Sequence, residues 1–270
     1  MHGLGNDFVV IDAVNQQFDL NNLPITQLAQ RHTGIGFDQL LIIYPADNAD
    51  FFCRIFNSDG SQAEQCGNGL RCVASYIYQK GLAAKKEMTL ATKAGVFNAL
   101  IQEQGLVQID MGVPAFEPNE IPFKADARKP VYTLETPQRP SLEMNILSMG
   151  NPHAILNVIN LNDFPVNEIG LQVASHPAFP QSTNVGFMEI VDRQQIRLRT
   201  FERGTGETNA CGSNACAAVV AGIMNNTLDK TVKVHLRLGE LQIDWLEKTR
   251  PVRMTGPAVN IFEGEFQLGH

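Results

Sequence analysis

The sequence predicts an α/β (α+β) protein of two pseudosymmetric domains, each a curled, mostly antiparallel sheet wrapped around a central helix. The first observation is a repeated motif: EQCGNGLRC around Cys66 returns as NACGSNAC around Cys211, 145 positions later. The second is a segment that is apolar on every side, ACAAVVAGIM, directly after the second cysteine. A helix of that composition must be enclosed, and a curled sheet is the simplest enclosure.

The offset of 145 residues aligns further positions in the same order, which predicts a duplicated unit. The aligned pairs are Gly5-Asn6 with Gly150-Asn151, Gln39 with Asn184, Asn57 with Glu202 and, after a slip of one residue, Cys72 with Cys216. Each pair lies in a similar context, beside or at the end of an apolar run. The slip indicates that the two central helices are not exact copies.

Alternating polarity predicts the strands, and glycines mark the turns between them. The predicted strands are VVID, QLLIIYP, FCRIFN, GVFNALIQ, LVQIDMG, AILNV, GFMEIV, QIRLRTF, KVHLRL, ELQIDWL and AVNIFEG. Gly95, Gly105 and Gly239 stand where hairpin turns are expected. The two domains are predicted to join between Met111 and Glu120.

Four helices complete the prediction. Pro24 and Pro165 are expected to begin two short helices, because proline is favoured in the first helical turn. A longer helix follows each of the two repeated cysteines. The first of these ends at Gly81, and its apolar face consists of Leu70, Val73, Ala74, Ile77 and Tyr78.

Composition and charge restrict the class of function. The net charge of −7 provides no basic surface of the kind that nucleic-acid-binding proteins present. No apolar run reaches the length of a membrane span, and MHGLGNDFVV lacks the features of a secretion signal, so a cytosolic protein is expected. Five cysteines in such a chain argue against a disulfide framework, and their spacing is unlike that of zinc ligands.

A cysteine at the N-terminus of a helix is a candidate acid or base. The free N–H groups there favour the thiolate and also bind carboxylates. If a thiolate and a thiol face the same carbon from opposite sides, they can invert its configuration without a cofactor. Cys66 and Cys211 are therefore the candidate catalytic residues. The other three cysteines, Cys53, Cys72 and Cys216, are predicted to be buried core residues.

Other functions remain open at this point. A thiol hydrolase would pair one cysteine with a histidine such as His153 and leave the second motif without a role. A non-catalytic amino-acid-binding protein would need neither cysteine. The segment GTGETNACG lacks the lysine and the spacing of a phosphate-binding loop. His153 could also be an ordinary strand histidine, and Glu202-Arg203 a solvated ion pair.

The motifs together resemble the diaminopimelate epimerase family over essentially the whole chain. The matching segments are MHGLGNDFVVID, RHTGIGFDQLL, FNSDGSQAEQCGNGLRC, MGNPHA, STNVGF, ERGTGETNACGSNACA and MTGPAVNIFEGEF. The resemblance implies a cofactor-independent epimerase that interconverts LL- and meso-2,6-diaminopimelate, with the substrate between two domains. It also implies that the last strand returns to the first domain, so that the domains are 1–111 plus 257–270 and 112–256. A homodimer is the expected assembly.

The resemblance further implies a role for each matching residue. Cys66 and Cys211 match the acid/base pair, and His153 and Glu202 match residues that tune the two thiols. The implied substrate-binding residues are Asn6, Gln39, Asn57, Gly67, Asn68, Asn151, Asn184, Glu202, Arg203, Gly212 and Ser213. No metal ligand is implied. Asn214 stands at a position where glycine is common. We expect a positive φ there, because asparagine tolerates positive φ best among the residues other than glycine.

A proline racemase has the same two-cysteine architecture and is the nearest alternative. Its substrate lacks a second charged end. Arg203 together with Asn57, Asn151 and Asn184 favours the longer substrate, since a distal amino-carboxylate must be held to select the reacting centre.

Overall fold

A computed structural model describes residues 1–136 and 139–266, without the side chains of residues 139 and 140. Two compact units divide the chain. The first comprises Met1–Ile109 and the segment that begins at Gly256, and the second comprises Asp110–Thr255. Within the described residues, no helix has both the length and the apolar character that a membrane span requires.

The first unit is a sheet with one long helix. Its strands are β1 (His2–Gly3), β2 (Asn6–Asp12), β3 (Gln39–Pro45), β4 (Phe51–Asn57), β5 (Gln62–Ala63), β6 (Glu87–Thr92), β7 (Gly95–Ile101) and β8 (Val107–Asp110). Its helices are α1 (Ile25–Leu28) and α2 (Gly67–Gln79), with 3₁₀ turns at Leu20–Asn22 and Glu103–Gly105. The pairs β2–β3 and β4–β6 are parallel, and the other neighbouring strands are antiparallel.

The second unit has the same plan with one additional strand. Its strands are β9 (Tyr132–Thr136), β10 (Arg139–Ser148), β11 (Pro152–Asn157), β12 (Asn184–Asp192), β13 (Gln195–Glu202), β14 (Gly206–Thr208), β15 (Thr231–Leu236), β16 (Gly239–Asp244) and β17 (Arg253–Gly256). Its helices are α3 (Val166–Ala174) and α4 (Gly212–Met224), with a 3₁₀ turn at Leu161–Asp163. The parallel pairs are β11–β12 and β13–β15.

Strand register confirms the duplication. Three cross-strand pairs of the first unit have an equivalent pair in the second unit. Phe8–Gln39 corresponds to His153–Asn184 and Ile55–Ala63 to Thr200–Thr208, both at an offset of 145 residues. Glu87–Leu100 corresponds to Thr231–Asp244 at an offset of 144 residues. The predicted one-residue change of offset after the cysteines is therefore present. Equivalent positions of the two units lie on the same face of their sheets.

Burial of the two central helices explains why the segments that follow Cys66 and Cys211 are apolar. In α2 the predicted face is buried at Leu70, Val73, Ala74 and Ile77, whereas Tyr78 is half-buried. All residues of α4 from Asn214 to Gly222 are buried, and this helix contacts β10, β11, β12, β13 and β16. The sheet therefore curls around the helix, as predicted. The thiols of Cys53, Cys72 and Cys216 lie in these cores.

The prediction that AVNIFEG forms a strand is wrong. Among the described residues of this segment, Val259 alone forms a β-bridge, with His2. Ile261 and Phe262 remain largely exposed, so the alternating pattern has no second layer against which to bury one face. The bridge nevertheless places the segment in the first unit.

Two other differences concern helix length and missed strands. The helix at Pro24 is a single turn, α1, because the N–H groups of Ile35 and Gly36 occupy the Leu28 carbonyl and end the helix there. The short strands β1, β5, β14 and β17 and the six-residue strand β6 were not predicted. The adjacent strands β9 and β10 were not predicted either. Their segments lie between prolines, with Pro130 before the first and Pro140 inside the second, and proline weakens a strand pattern.

Candidate active site

Cys66 is the N-cap residue of α2. Its backbone is extended (φ −151°, ψ 108°), and its Sγ accepts a hydrogen bond from the Gly69 N–H at 3.4 Å. A short polar acceptor at this position satisfies one of the free N–H groups of the first helical turn. The prediction that this cysteine stands at the start of a helix is confirmed, and Gly67 is the first helical residue.

Asn6 lies beside the Cys66 thiol. Its Oδ1 is 3.7 Å from the Cys66 Sγ and accepts a hydrogen bond from the Asn68 Nδ2 at 3.3 Å. Its Nδ2 donates to the Asp38 Oδ2 at 3.1 Å. Because an ionised carboxylate only accepts hydrogen bonds, Asp38 sets the orientation of the Asn6 amide and turns its oxygen towards the sulfur.

An ion-pair cluster supports this orientation. Arg31 bridges Asp7 and Asp38 with N–O distances of 2.8 and 2.7 Å. Partial burial raises the pKa of Asp7, but the hydrogen bonds and charge of Arg31 outweigh burial and hold that pKa below its ordinary value. No local sequence signal indicated a role for these three residues, although Asp7 and Asp38 directly adjoin Asn6 and Gln39 in the motifs GLGND and GFDQ.

Gln39 and Asn57 face each other across β3 and β4. The Gln39 Nε2 donates to the Asn57 Oδ1 at 2.9 Å, and the Asn57 Nδ2 donates to the Ser61 Oγ at 3.0 Å. The Gln39 Oε1 is buried and has no hydrogen-bond partner among the described residues. A buried acceptor of this kind is suited to a ligand that brings its own N–H donor.

Cys211 is the equivalent N-cap residue of α4. Its backbone is also extended (φ −126°, ψ 111°), Gly212 begins the helix, and the Ser213 Oγ lies 3.5 Å from its Sγ. Burial and the neighbouring Glu202 carboxylate raise the pKa of Cys211 well above its ordinary value, against the opposing effects of the Ser213 hydroxyl and the Asn214 backbone N–H. The thiol form of Cys211 is therefore strongly favoured at neutral pH.

Glu202 ends β13 next to this thiol. Its Oε1 accepts a hydrogen bond from the Thr208 hydroxyl at 2.6 Å, across the β13–β14 pair. A carboxylate held in this way is a fixed negative charge beside Cys211 and favours the neutral sulfur. Glu202 is thus placed where it can tune the second cysteine, the role that the resemblance implied.

Asn184 and Arg203 are hydrogen-bonded to each other in the same unit. The Asn184 Oδ1 accepts a hydrogen bond from the Arg203 backbone N–H at 3.0 Å, and the Arg203 Nη1 donates to the Gln181 carbonyl at 3.1 Å. Arg203 is exposed. Its guanidinium therefore retains donors that can bind an anion.

His153 is completely buried between two asparagines. Its Nε2 is 3.0 Å from the Asn151 Oδ1, and its Nδ1 is 3.3 Å from the Asn214 Nδ2. Burial, with a smaller effect of the Arg203 charge, lowers the pKa of His153 to about 3, so its ring is neutral at physiological pH. The expectation of a positive φ at Asn214 is wrong, because this residue is helical and lies inside α4.

This histidine makes stability depend on pH. The His153 pKa is about 3 in the folded protein, against 6.5 for an ordinary histidine. The unfolded chain therefore binds one more proton below pH 6.5, and the free energy of unfolding falls as the pH drops, by about 1.4 kcal/mol per pH unit. The full stability is present above pH 6.5.

In the unmodified protein, His153 should make the free energy of unfolding about 2 kcal/mol larger at pH 7 than at pH 5. We expect His153→Gln to lose this contribution, as measured by denaturant unfolding at the two pH values. His32→Gln, at an exposed position, is the control and should keep that difference. An equal pH dependence in His153→Gln would contradict the burial of a neutral imidazole.

The predicted residues thus form two sets, one in each unit. The first set belongs to the unit that contains α2 and comprises Asn6, Gln39, Asn57, Cys66, Gly67 and Asn68. The second belongs to the unit that contains α4 and comprises Asn151, His153, Asn184, Glu202, Arg203, Cys211, Gly212 and Ser213. All five cysteines are free thiols. In the described part of the chain, no group of three or more His, Cys, Asp or Glu side chains is arranged to hold a metal ion.

The fold is that of racemases and epimerases. A hydroxyproline epimerase from Agrobacterium vitis matches it with a TM-score of 0.68 at 16% identity, covering 95% of this chain and 87% of that chain. A probable proline racemase from Agrobacterium radiobacter matches with a TM-score of 0.67 at 16% identity, covering 99% and 92%. These similarities define the fold class of the chain.

Sequence comparison identifies the family. The diaminopimelate epimerase family model matches residues 1–117 and 146–261. The chain is 51% identical to the diaminopimelate epimerase of Chromobacterium violaceum and 50% identical to that of Nitrosomonas eutropha, with 99% of this chain and 98% of each relative covered. The chain belongs to the diaminopimelate epimerase family.

Proposed function

We propose that this protein interconverts LL-2,6-diaminopimelate and meso-2,6-diaminopimelate, in the biosynthesis of lysine and peptidoglycan precursors, by a two-base proton transfer in which one of Cys66 and Cys211 removes the α-proton and the other donates a proton to the opposite face of the carbon. The observation that carries the proposal is the pair of cysteines, each the N-cap of the central helix of its unit. Membership of the family supports the substrate. The scheme needs no cofactor.

In one direction of the proposed reaction, Cys66 is the base and Cys211 is the acid. Burial and Glu202 favour the protonated form of Cys211, so this residue is ready to donate a proton. The Cys66 thiolate takes the α-proton from one face of the carbon, and the Cys211 thiol delivers its proton to the opposite face. The two sulfurs have then exchanged protonation states, and the reverse reaction uses them in the opposite roles.

The helix N-termini stabilise the charge that develops in this step. As the α-proton leaves, negative charge moves onto the adjacent carboxylate. The N–H groups that follow each cysteine, at Gly67-Asn68 and Gly212-Ser213, are donors of the type that bind this charge. The same N–H groups favour the thiolate at the start of each helix. They therefore stabilise negative charge both on the sulfur and on the substrate carboxylate.

The distal amino-carboxylate, the end of the substrate away from the reacting carbon, selects the reacting centre. The Arg203 guanidinium can pair with its carboxylate, and the side-chain amides of Asn57, Asn151 and Asn184 can complete the binding. The unsatisfied Gln39 Oε1 is an acceptor for a substrate ammonium group. A substrate such as proline offers no distal charge to these residues.

Exchange of the α-proton in deuterium oxide tests the substrate and the reaction together. In each turnover we expect deuterium to enter at one α-carbon, starting from LL-diaminopimelate or from the meso form, with interconversion of the two and no added cofactor. L-Proline is the matched comparison substrate and should neither exchange nor racemise. Exchange with proline and none with diaminopimelate would overturn the proposal.

The proposal also includes the cytoplasmic location and the homodimer that were expected above. Light scattering during gel filtration distinguishes a dimer from the 29.7 kDa monomer.

A further inference from the structure

Three side chains of the second unit form a hydrogen-bonded series that has one consistent polarity. The Asn214 Nδ2 is a donor and faces the His153 Nδ1, and the Asn151 Oδ1 is an acceptor and faces the His153 Nε2. A neutral imidazole has one donor nitrogen and one acceptor nitrogen. Both contacts are satisfied together when Nδ1 accepts and Nε2 carries the proton.

We propose that Asn214 is a positioning residue that holds His153 as its neutral Nε2–H tautomer and thereby fixes the orientation of the Asn151 amide. The Asn151 Oδ1 is engaged by the His153 Nε2–H, which leaves the Asn151 Nδ2 group available to a ligand. If the Asn214 amide were turned so that its Oδ1 and Nδ2 changed places, the donor and acceptor roles in both contacts of His153 would be exchanged. The Asn214 Oδ1 would require an Nδ1–H, Nε2 would become an acceptor, and Asn151 would have to present its oxygen to the ligand.

The packing around Asn214 supports a dedicated position for this amide. A Cβ added at Gly186 would lie 2.3 Å from the Asn214 Oδ1, so the absence of a side chain at residue 186 provides the space for the amide. Asn214 and His153 are both fully buried, and no described residue donates a hydrogen bond to the Asn214 Oδ1. Because bulk water does not reach Asn214 and His153, the polarity of their contact depends on the protein groups themselves.

The functional consequence depends on the proposed function, in which Asn151 helps to bind the distal end of diaminopimelate. A carboxylate accepts hydrogen bonds and does not donate them. An amide that presents its N–H₂ group binds a carboxylate, whereas the reversed amide presents an oxygen and repels it. Asn214 therefore controls substrate affinity without touching the substrate.

Nitrogen-15 NMR of histidine-labelled protein tests the tautomer directly, with His153→Gln used to assign the signal. In the unmodified protein at pH 7 we expect a single Nε2–H tautomer of His153. In Asn214→Leu, which removes the donor at similar size, both tautomers should be populated. An Nδ1–H tautomer in the unmodified protein, or a pure Nε2–H tautomer in the variant, would overturn the proposal.

Kinetics test the consequence for substrate. We expect Asn214→Leu to raise KM for diaminopimelate about five-fold, the effect of losing the preference given by one hydrogen bond, with kcat within about two-fold. If Asn214→Leu does not fold, Asn214→Ala is expected to give the same two results. Asn225→Leu, at the exposed C-terminal end of the same helix, is the control and should change neither the tautomer nor KM.

The two measurements separate the inference from the proposed function. Mixed tautomers with an unchanged KM would refute the link to the substrate. If the unmodified protein failed to epimerise diaminopimelate, the proposed function would be wrong, while the NMR result on Asn214 would still decide the tautomer.

Discussion

Replacement of Cys66 or Cys211 by alanine is expected to abolish the interconversion of LL- and meso-diaminopimelate, a loss of at least about 10³-fold in kcat. Inversion requires a proton to leave one face of the carbon and another to arrive on the opposite face. Either substitution removes one of the two groups and leaves no path for net inversion. The rate is measured by separating the stereoisomers after incubation with each one.

Each single variant should retain a distinct partial reaction. With only one thiol left, the enzyme can still remove and return the α-proton on one face. In deuterium oxide we therefore expect Cys66→Ala and Cys211→Ala to exchange the α-proton of different isomers, one of LL- and the other of meso-diaminopimelate, without interconversion.

Cys53→Ala is the control for these variants, because that thiol is buried in β4 and has no part in the proposed transfer. It should epimerise at close to the unmodified rate. Near-normal turnover in Cys66→Ala or Cys211→Ala would refute the two-base mechanism. Exchange of the same isomer by both would show that the two thiols do not act on opposite faces.

Arg203→Lys is expected to lower kcat/KM for diaminopimelate by about 10- to 100-fold, the worth of a hydrogen bond to a charged group. Lysine keeps the positive charge but loses the planar guanidinium that can bind a carboxylate with two parallel hydrogen bonds. Steady-state kinetics in both directions measure the change. Because the distal end is the same in both isomers, the loss should be similar for LL- and meso-diaminopimelate.

Arg193→Lys provides the matched control. Arg193 is an exposed arginine of the same unit, paired with Asp229 at 2.8 Å. The same substitution there should leave kcat/KM unchanged. An unchanged value in Arg203→Lys would mean that other residues hold the distal carboxylate. An equal loss in both variants would point to a general effect on the unit.

Much of the fold and of the candidate site could be predicted from local sequence signals. Strand alternation and the 3.6-residue period of the helices depend on neighbouring residues, so the duplicated register and the enclosed helix α4 were accessible. Cysteine followed by glycine after a polar loop is also a local pattern. It placed Cys66 and Cys211 at helix N-termini, where the structure has them.

The tertiary structure decided the contacts between residues that are distant in the chain. Asp38 reaches Asn6 from 32 positions away, and Asn214 reaches His153 from 61 positions away. These contacts depend on the parallel pairing of β2 with β3 and on the packing of α4 against β11. Hydrogen-bond partners of this kind follow from three-dimensional proximity, and no periodicity of the sequence encodes them.

The sequence by itself thus determined the two-fold plan, the enclosed helices and the two cysteine positions, because each arises from local propensity and burial pattern. Only the tertiary structure decided that Glu202 adjoins the Cys211 thiol, that His153 is neutral and enclosed by amides, and that AVNIFEG is not a strand. The physical reason is the same in each case. Electrostatic environment and strand pairing depend on which groups the folded chain brings within a few ångströms of one another.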